Sequence, residues 1–390
     1  MVVHRAHFLL GFFLAAVCAL LLWGAVPLLR SPAADILSQP IDPVLPKGIA
    51  SLSARECGTC HGEIYQEWSE SMHARAWSDA HYQAELAYEK HNPLCLGCHT
   101  PLKPQRESLA GGTAATGAPA SARVANPGFD SLLRDEGVTC AACHVRNGEI
   151  IGPYPTTQAP HPVKVAPAAL SGANPCRDCH MVTQGRWEAL RRLPPCGTVE
   201  TTGREGKEAD CVGCHLPNVT RAMANNVPTR QGGRHLFQGG HHPPQVARAL
   251  KVDHRREEVD GRSSFVFTLT NVGTDHPMPT GTLDRHLTLE FRLRDDQNIV
   301  THEKIHRIQR TVLGRSFVLD FWDRRLAARE PRAFVYELPK GDVLPRPAFL
   351  EVTIRYHLLD EKRRKRIGYE NTTPLSYAIY HERFDLSGGS

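Results

Sequence analysis

Cysteine and histidine recur in this chain at one fixed spacing. The pattern Cys-x-x-Cys-His occurs five times: Cys57/Cys60/His61, Cys95/Cys98/His99, Cys140/Cys143/His144, Cys176/Cys179/His180 and Cys211/Cys214/His215. Two thiols three residues apart can add to the two vinyl groups of one porphyrin, and the imidazole that follows can reach its iron. The chain has 12 Cys and 21 His among 390 residues. At those frequencies chance would give about 0.02 copies of this motif. A zinc site would share one metal between two Cys pairs and needs no His after each. A thioredoxin-like centre would use a single pair beside a βαβ pattern. The motifs therefore predict five covalently bound c-type haems, with the five motif histidines as proximal ligands. Ten cysteines are used in this way. Cys18 and Cys196 are left over, so no disulfide framework is implied.

An iron held by one imidazole is open to small molecules, whereas a second axial side chain closes it and favours electron carriage. The sequence offers His73, His161, His235, His241 and His276 as the sixth ligands. His235 and His241 lie in a Gly-rich stretch, Arg-His-Leu-Phe-Gln-Gly-Gly-His-His-Pro-Pro, where the chain can approach a porphyrin closely. His242 is an alternative to His241. His81 and His91 read instead as helix-face or boundary residues. Met181 and Met278 are weaker candidates, since Met is more often packing than ligand. Tyr65, Tyr82 and Tyr88 lie near motifs and read as packing. No catalytic residue is assigned, and no Cys-x-x-Cys-Lys variant is present.

The elements that must hold these groups divide the chain. Residues 62–91 predict one long helix, with Ile64, Trp68, Met72 and Ala76 on one face and His73, Trp77 and His81 on another. The Gly-Ala-Thr-rich stretch 110–122 predicts a loop. From about residue 246 cysteine disappears, and 265–270, 287–293, 333–338 and 349–357 read as strands. The expected fold is a mainly α or irregular multihaem domain over 55–245, followed by an all-β immunoglobulin-like sandwich over 246–390. Ahead of them, residues 1–34 form a membrane anchor or signal sequence and residues 35–54 a Pro-rich linker. The uncharged run Phe8–Leu29 is long enough for a transmembrane helix, with Arg5 on its cytoplasmic side. A cleaved signal is the alternative, and either way the rest of the chain is exported. The net charge of +5 is spread along the chain without a basic run with interleaved aromatics, which gives no reason to expect nucleic acid.

Beyond the haem motif itself, Cys57-Gly-Thr-Cys60-His61 followed by Trp68, Ser71, His73 and Ala74 resembles the opening of the cytochrome c-554 family, a branch of multihaem cytochromes related to hydroxylamine oxidoreductase. Gly137-Val-Thr-Cys140-Ala-Ala-Cys143-His144, with His161 downstream, is similar to a later segment of that family. The resemblance covers roughly residues 55–245. Asn271-Val-Gly-Thr-Asp-His276-Pro-Met-Pro279-Thr-Gly281 is similar to a turn in β-domains appended to other multihaem cytochromes, with Asp275 in place of a glycine. The expected role is a periplasmic, membrane-associated pentahaem electron carrier. Its partners would be a quinol oxidoreductase or another c-type cytochrome. Two other roles remain open: an oxidoreductase acting on a small nitrogen or sulfur oxide at a five-coordinate haem, and a haem-bearing subunit of a larger assembly.

Overall fold

The computed structural model describes residues 40–111, 123–156, 159–180, 210–259, 262–313, 319–339, 347–371 and 373–386. The apolar run 8–29, Cys18, Met181, Cys196 and nearly all of the 110–122 loop lie outside them. Among the described residues no helix is long and apolar enough to cross a membrane.

The motif-bearing half is built from short helices. Cys95–His99 closes Pro93–His99, while Cys140–His144 and Cys211–His215 are each a single helical turn. Cys176 immediately precedes Arg177–His180. Cys57 lies in the last turn of Ala54–Gly58, and His61 is the N-cap residue of Gly62–Glu70. The predicted single helix over 62–91 is two helices, Gly62–Glu70 and Ala80–Tyr88. Ser71 breaks it: its backbone turns extended, and its hydroxyl and amide both donate to Trp68 O. Asp79 then caps the second helix by accepting from the Tyr82 amide. His73 and His81 therefore do not share a helical face; His73 sits in the intervening turn.

Where it is described, the Pro-rich segment before Ala54 is packed. Ile41 N donates to Pro101 O (2.8 Å) and Ile41 O accepts from Lys103 N (2.7 Å). Gly48, in the left-handed region, lies so close to the Pro160 carbonyl that a Cβ would not fit.

The C-terminal half alternates as the sequence predicts. The strands Arg262–Asn271, His286–Asp295, Pro331–Glu337 and Pro347–His357 cover the four predicted runs. The strand Arg262–Asn271 pairs antiparallel with both Leu250–Val259 and Pro331–Glu337, giving a three-stranded sheet. A four-stranded sheet runs Val300–Ile308, His286–Asp295, Pro347–His357, Ser376–Asp385, again antiparallel throughout. Leu287, Leu289, Phe291 and Leu293 recur every second residue and share one core with Phe265, Phe267 and Leu269 of the other sheet. Fully burying such side chains stabilises by roughly 1.5–3 kcal/mol each.

Several contacts join the halves. The helix Pro243–Ala249 leads directly into Leu250–Val259, and its Val246 and Ala249 belong to the sandwich core. On another side, Arg363 of the helix Glu361–Ile367 is 4 % exposed and pairs with Glu85 and Glu89 at the end of Ala80–Tyr88. Its guanidinium also lies over the Tyr88 ring at 4.5 Å.

At the end of the four-stranded sheet the His286 and His357 rings stack at 4.1 Å. Burial, then the charges of His286, Arg355 and Arg307, pushes His357 down to about 3. A histidine with a lowered folded pKa contributes stability that is complete above about pH 6.5 and lost as pH falls towards 3, because the unfolded chain takes up the proton first. His357→Gln should therefore flatten the fall in melting temperature between pH 6.5 and 4 relative to the parent. Parallel curves for the two proteins would show that this imidazole does not carry the effect.

Candidate functional site

Four of the five motif imidazoles are fixed by one repeated hydrogen bond. His61 Nδ1 meets Met223 O (2.5 Å), His99 Nδ1 meets Ala76 O (2.5 Å), His144 Nδ1 meets Ile151 O (2.8 Å) and His215 Nδ1 meets Gln238 O (2.8 Å). A carbonyl can only accept, so Nδ1 carries the proton and Nε2 keeps its lone pair for a metal. His235 is held in the same way by Gly233 O (2.8 Å). Burial first, opposed by the carbonyl bond, pushes His99 down to about 4. Burial, then the charge of His144, takes His235 to about 4 as well. Burial, then the charge of His180, takes His73 to about 3. All three stay neutral at ordinary pH, which is the ligating form.

Two sequence-predicted sixth ligands come to face a motif histidine. The ring centroids of His73 and His180 are 6.2 Å apart, and those of His144 and His235 are 6.3 Å apart. With a metal–imidazole bond of about 2 Å, two imidazoles on opposite sides of one iron have centroids about 6.4 Å apart. The residues present therefore fit a six-coordinate haem at each place. Phe237 touches both sixth-ligand candidates, at 4.4 Å from His73 and 5.7 Å from His235, and holds a left-handed backbone (φ 48°) unusual for a bulky residue.

The remaining candidates are placed differently. His161 feels the charge of His61 and has a buried Nδ1, in the loop pressed by Gly48. His276 lies in a turn whose carbonyl accepts from Asn271 Nδ2 (2.9 Å) and Thr274 Oγ1 (2.6 Å). The next residue back, Asp275, acts on Cys214, so this turn faces the fifth motif. Asp275 is not among the residues of positive φ, so the position does not need the glycine of the resembled pattern. His241 Nε2 accepts from Arg285 Nη2 (2.9 Å), which occupies the lone pair a metal would use. Both nitrogens of His242 are engaged, with Gln238 and the Gln245 amide. His81 lies 3.7 Å from Glu85. The ring neighbour of His99 is Tyr82, stacked at 3.6 Å and 5°.

The attachment segments touch one another through their thiols. Cys57 lies beside Cys140, Cys98 Sγ lies 3.8 Å from Cys179 O, and Cys176 lies beside Cys211. Cys143 lies within the field of Cys179. The fourth segment thus meets the second, third and fifth, while the third meets the first. Glu136 reinforces the first of these contacts. Its carboxylate accepts from Ser53 Oγ (2.5 Å) and Ala54 N (2.8 Å), at the start of the helix that delivers Cys57. Trp68 Nε1 donates to Val138 O (2.8 Å) and Val138 N donates to His73 O (2.9 Å). The Trp-Ser-His element and the Gly-Val-Thr element therefore bind each other directly.

Sequence reasoning missed Glu67. Its carboxylate accepts from the His235 amide (2.8 Å) and pairs with the buried Arg221 (2.7 Å). The only sequence signal was a carboxylate beside Trp68, and with Glu63 and Glu70 in the same segment it was too weak to single out.

Thiol pairs followed by carbonyl-anchored imidazoles, repeated and in mutual contact, define a multihaem c-type cytochrome. Residues 56–145, which hold the first three motifs, match the family described as cytochrome c554 and c-prime. Among solved structures the chain is similar to a penta-heme cytochrome c552 from Thermochromatium tepidum, at 20% identity and a TM-score of 0.63, over 86% of this chain and 98% of that one. No curated protein matches. Residues 56–145 thus carry the signature of the cytochrome c554 family, and the chain as a whole has the fold of a multihaem cytochrome.

Glu67→Gln keeps the side-chain volume but removes the charge that fixes the His235 amide and balances Arg221. One low-spin haem should then acquire a high-spin fraction in the oxidised spectrum. A spectrum unchanged from the parent would limit Glu67 to a structural ion pair.

Proposed function

We propose that the chain is an exported pentahaem electron carrier, with ten motif cysteines attaching five haems and the five motif histidines as proximal ligands. Bound haem c supplies the one-electron iron couple. The chain's own residues attach it, set its ligation and bring the attachment sites together. The observation that carries the reading is the pair of imidazole separations, His73 to His180 and His144 to His235. Each sets two neutral rings where one iron would be closed to substrate.

His161 and His276 are proposed for the sites of His61 and His215, on the strength of the neighbouring groups they face. His241 can serve as a ligand only if its bond with Arg285 is given up. The chain of contacts from the first segment through the third and fourth to the fifth, with the second as a side branch, suits a relay. Attachment over 55–245 and an immunoglobulin-like domain over 246–390 remain the proposed division. That architecture is supported by the sheet order, in which the second strand pairs the first and fifth of seven and the third pairs the fourth and sixth. Anchoring by the 8–29 run, within residues 1–34 and ahead of a 35–54 linker, would place the carrier on the periplasmic side of the inner membrane. There it could accept electrons from a quinol oxidoreductase or exchange them with another c-type cytochrome.

One observation favours a second reading for one site. His99, in the described residues, stacks on Tyr82 and faces no second imidazole. A five-coordinate centre there would make the protein an oxidoreductase acting on a small nitrogen or sulfur oxide.

Intact mass of the matured protein should exceed the polypeptide by the mass of five haems. EPR of the oxidised form should be low-spin at the His144 and His180 sites, and His73→Ala should turn one of these high-spin and open to carbon monoxide. An excess of four haems or fewer would overturn the count. A His73→Ala spectrum identical to the parent would overturn the carrier ligation, and a high-spin signal in the parent itself would support the second reading.

A further inference from the structure

Arg285 belongs to the C-terminal half, at the entry to the strand His286–Asp295, yet its side chain reaches into the motif-bearing half. Its Nη2 lies 2.9 Å from His241 Nε2 and its Nη1 lies 3.3 Å from Thr280 O, while its Nε is buried without a hydrogen-bond partner. Among the described residues no carboxylate pairs with it. The neighbouring Asp284 acts instead on His286 and Arg363.

The position of the guanidinium is over-determined. A Cβ on Gly240 would lie 2.6 Å from Nη1, and one on Gly281 would lie 2.8 Å from it. Bare backbone therefore walls the slot on two sides. Tyr377 Oη donates to Gly240 O (2.6 Å) and fixes one wall, and Gly281, at φ +110°, forms the other. The segment that Arg285 grips at His241 lies against two motif sites. Phe237 touches His73, the ring that faces His180, at 4.4 Å, and Gln238 O accepts from His215 Nδ1 (2.8 Å). In keeping with that placement, His180 is pushed down by burial, then by His215 and Arg285.

A fixed positive charge in a low-dielectric setting favours the form of a nearby redox centre that holds the extra electron. We propose that Arg285 is an electrostatic tuning residue, lent by the C-terminal half, that raises the potential of the haem held by His180. The fourth segment is where contacts from the second, third and fifth converge, so the charge acts at the junction of the proposed relay. This rests on the haem-site reading above. It gives the sandwich a role besides docking, since it would set the midpoint of a centre to which it contributes no thiol.

The test is a potentiometric titration of the full-length, haem-loaded protein, followed by absorbance and EPR. Arg285→Gln keeps hydrogen-bonding capacity and loses the charge. It should move one midpoint to lower potential and leave the others, the haem count and the low-spin spectrum unchanged. Arg285→Lys keeps the charge and should stay nearer the parent than Arg285→Gln. If Arg285→Gln does not mature, Gly240→Ala displaces the guanidinium with the charge retained, and a smaller shift in the same direction is expected. Midpoints unchanged in a variant with its full haem complement would overturn the proposal and leave the carrier reading standing. Parent protein without covalent haem would instead overturn the carrier reading beneath it.

Discussion

An imidazole whose Nδ1–H is bound by a backbone carbonyl can neither turn freely nor exchange tautomers, and its Nε2 lone pair points in one fixed direction. His61, His99, His144, His215 and His235 are all held this way. The accepting carbonyls belong to Met223, Ala76, Ile151, Gln238 and Gly233, and three of the five, those of Met223, Ala76 and Gln238, come from segments well removed in the chain from the histidine they hold. The constraint thus runs outward: to present one lone pair correctly, a distant loop must also be in place. The short helices around the motifs have few apolar residues of their own to hold them. Polar anchors such as Glu136 on Ser53 and Ala54, Glu67 on His235 and Trp68 on Val138 do much of that positioning.

Burial complements the anchoring. His73, His99 and His235 are kept neutral by desolvation, so no proton competes with a metal at ordinary pH. The cost is a set of buried groups that would rather be protonated in acid. The C-terminal sandwich carries the same liability at the stacked pair His286 and His357. It is otherwise an ordinary two-sheet core, with inward Leu and Phe at every second residue and an outward ladder in which Glu290 is covered by Arg292 and Arg355.

The two halves are joined by more than a linker. Val246 and Ala249 pack a helix of one half into the core of the other. Arg363 is buried against Glu85 and Glu89, and a buried cation facing two carboxylates is costly to leave unpaired. Arg285 crosses the same boundary in the opposite direction. These contacts tie the sandwich to the helix ahead of the second motif and to the 241–249 segment, so it is more than a separate appendage.

The motif cysteines and histidines were legible because their chemistry needs a local spacing, and a spacing is written in the sequence directly. The strands of the sandwich were legible for a similar reason, since a period of two marks the inward face. The break at Ser71 was not, because a serine hydroxyl can either cap or tolerate a helix, and the outcome depended on what Trp68 and His73 met across the chain. Nor could the sequence say which histidine faces which. His73 and His180 are separated by more than a hundred residues, and only the folded chain brings their rings to 6.2 Å. Candidates of similar appearance in sequence were sorted by tertiary contacts alone: His235 turns to a motif histidine, while His241 turns to Arg285. Local spacing determined where haem can attach. Which side chain faces which motif histidine depends on long-range packing and was decided only by the tertiary structure.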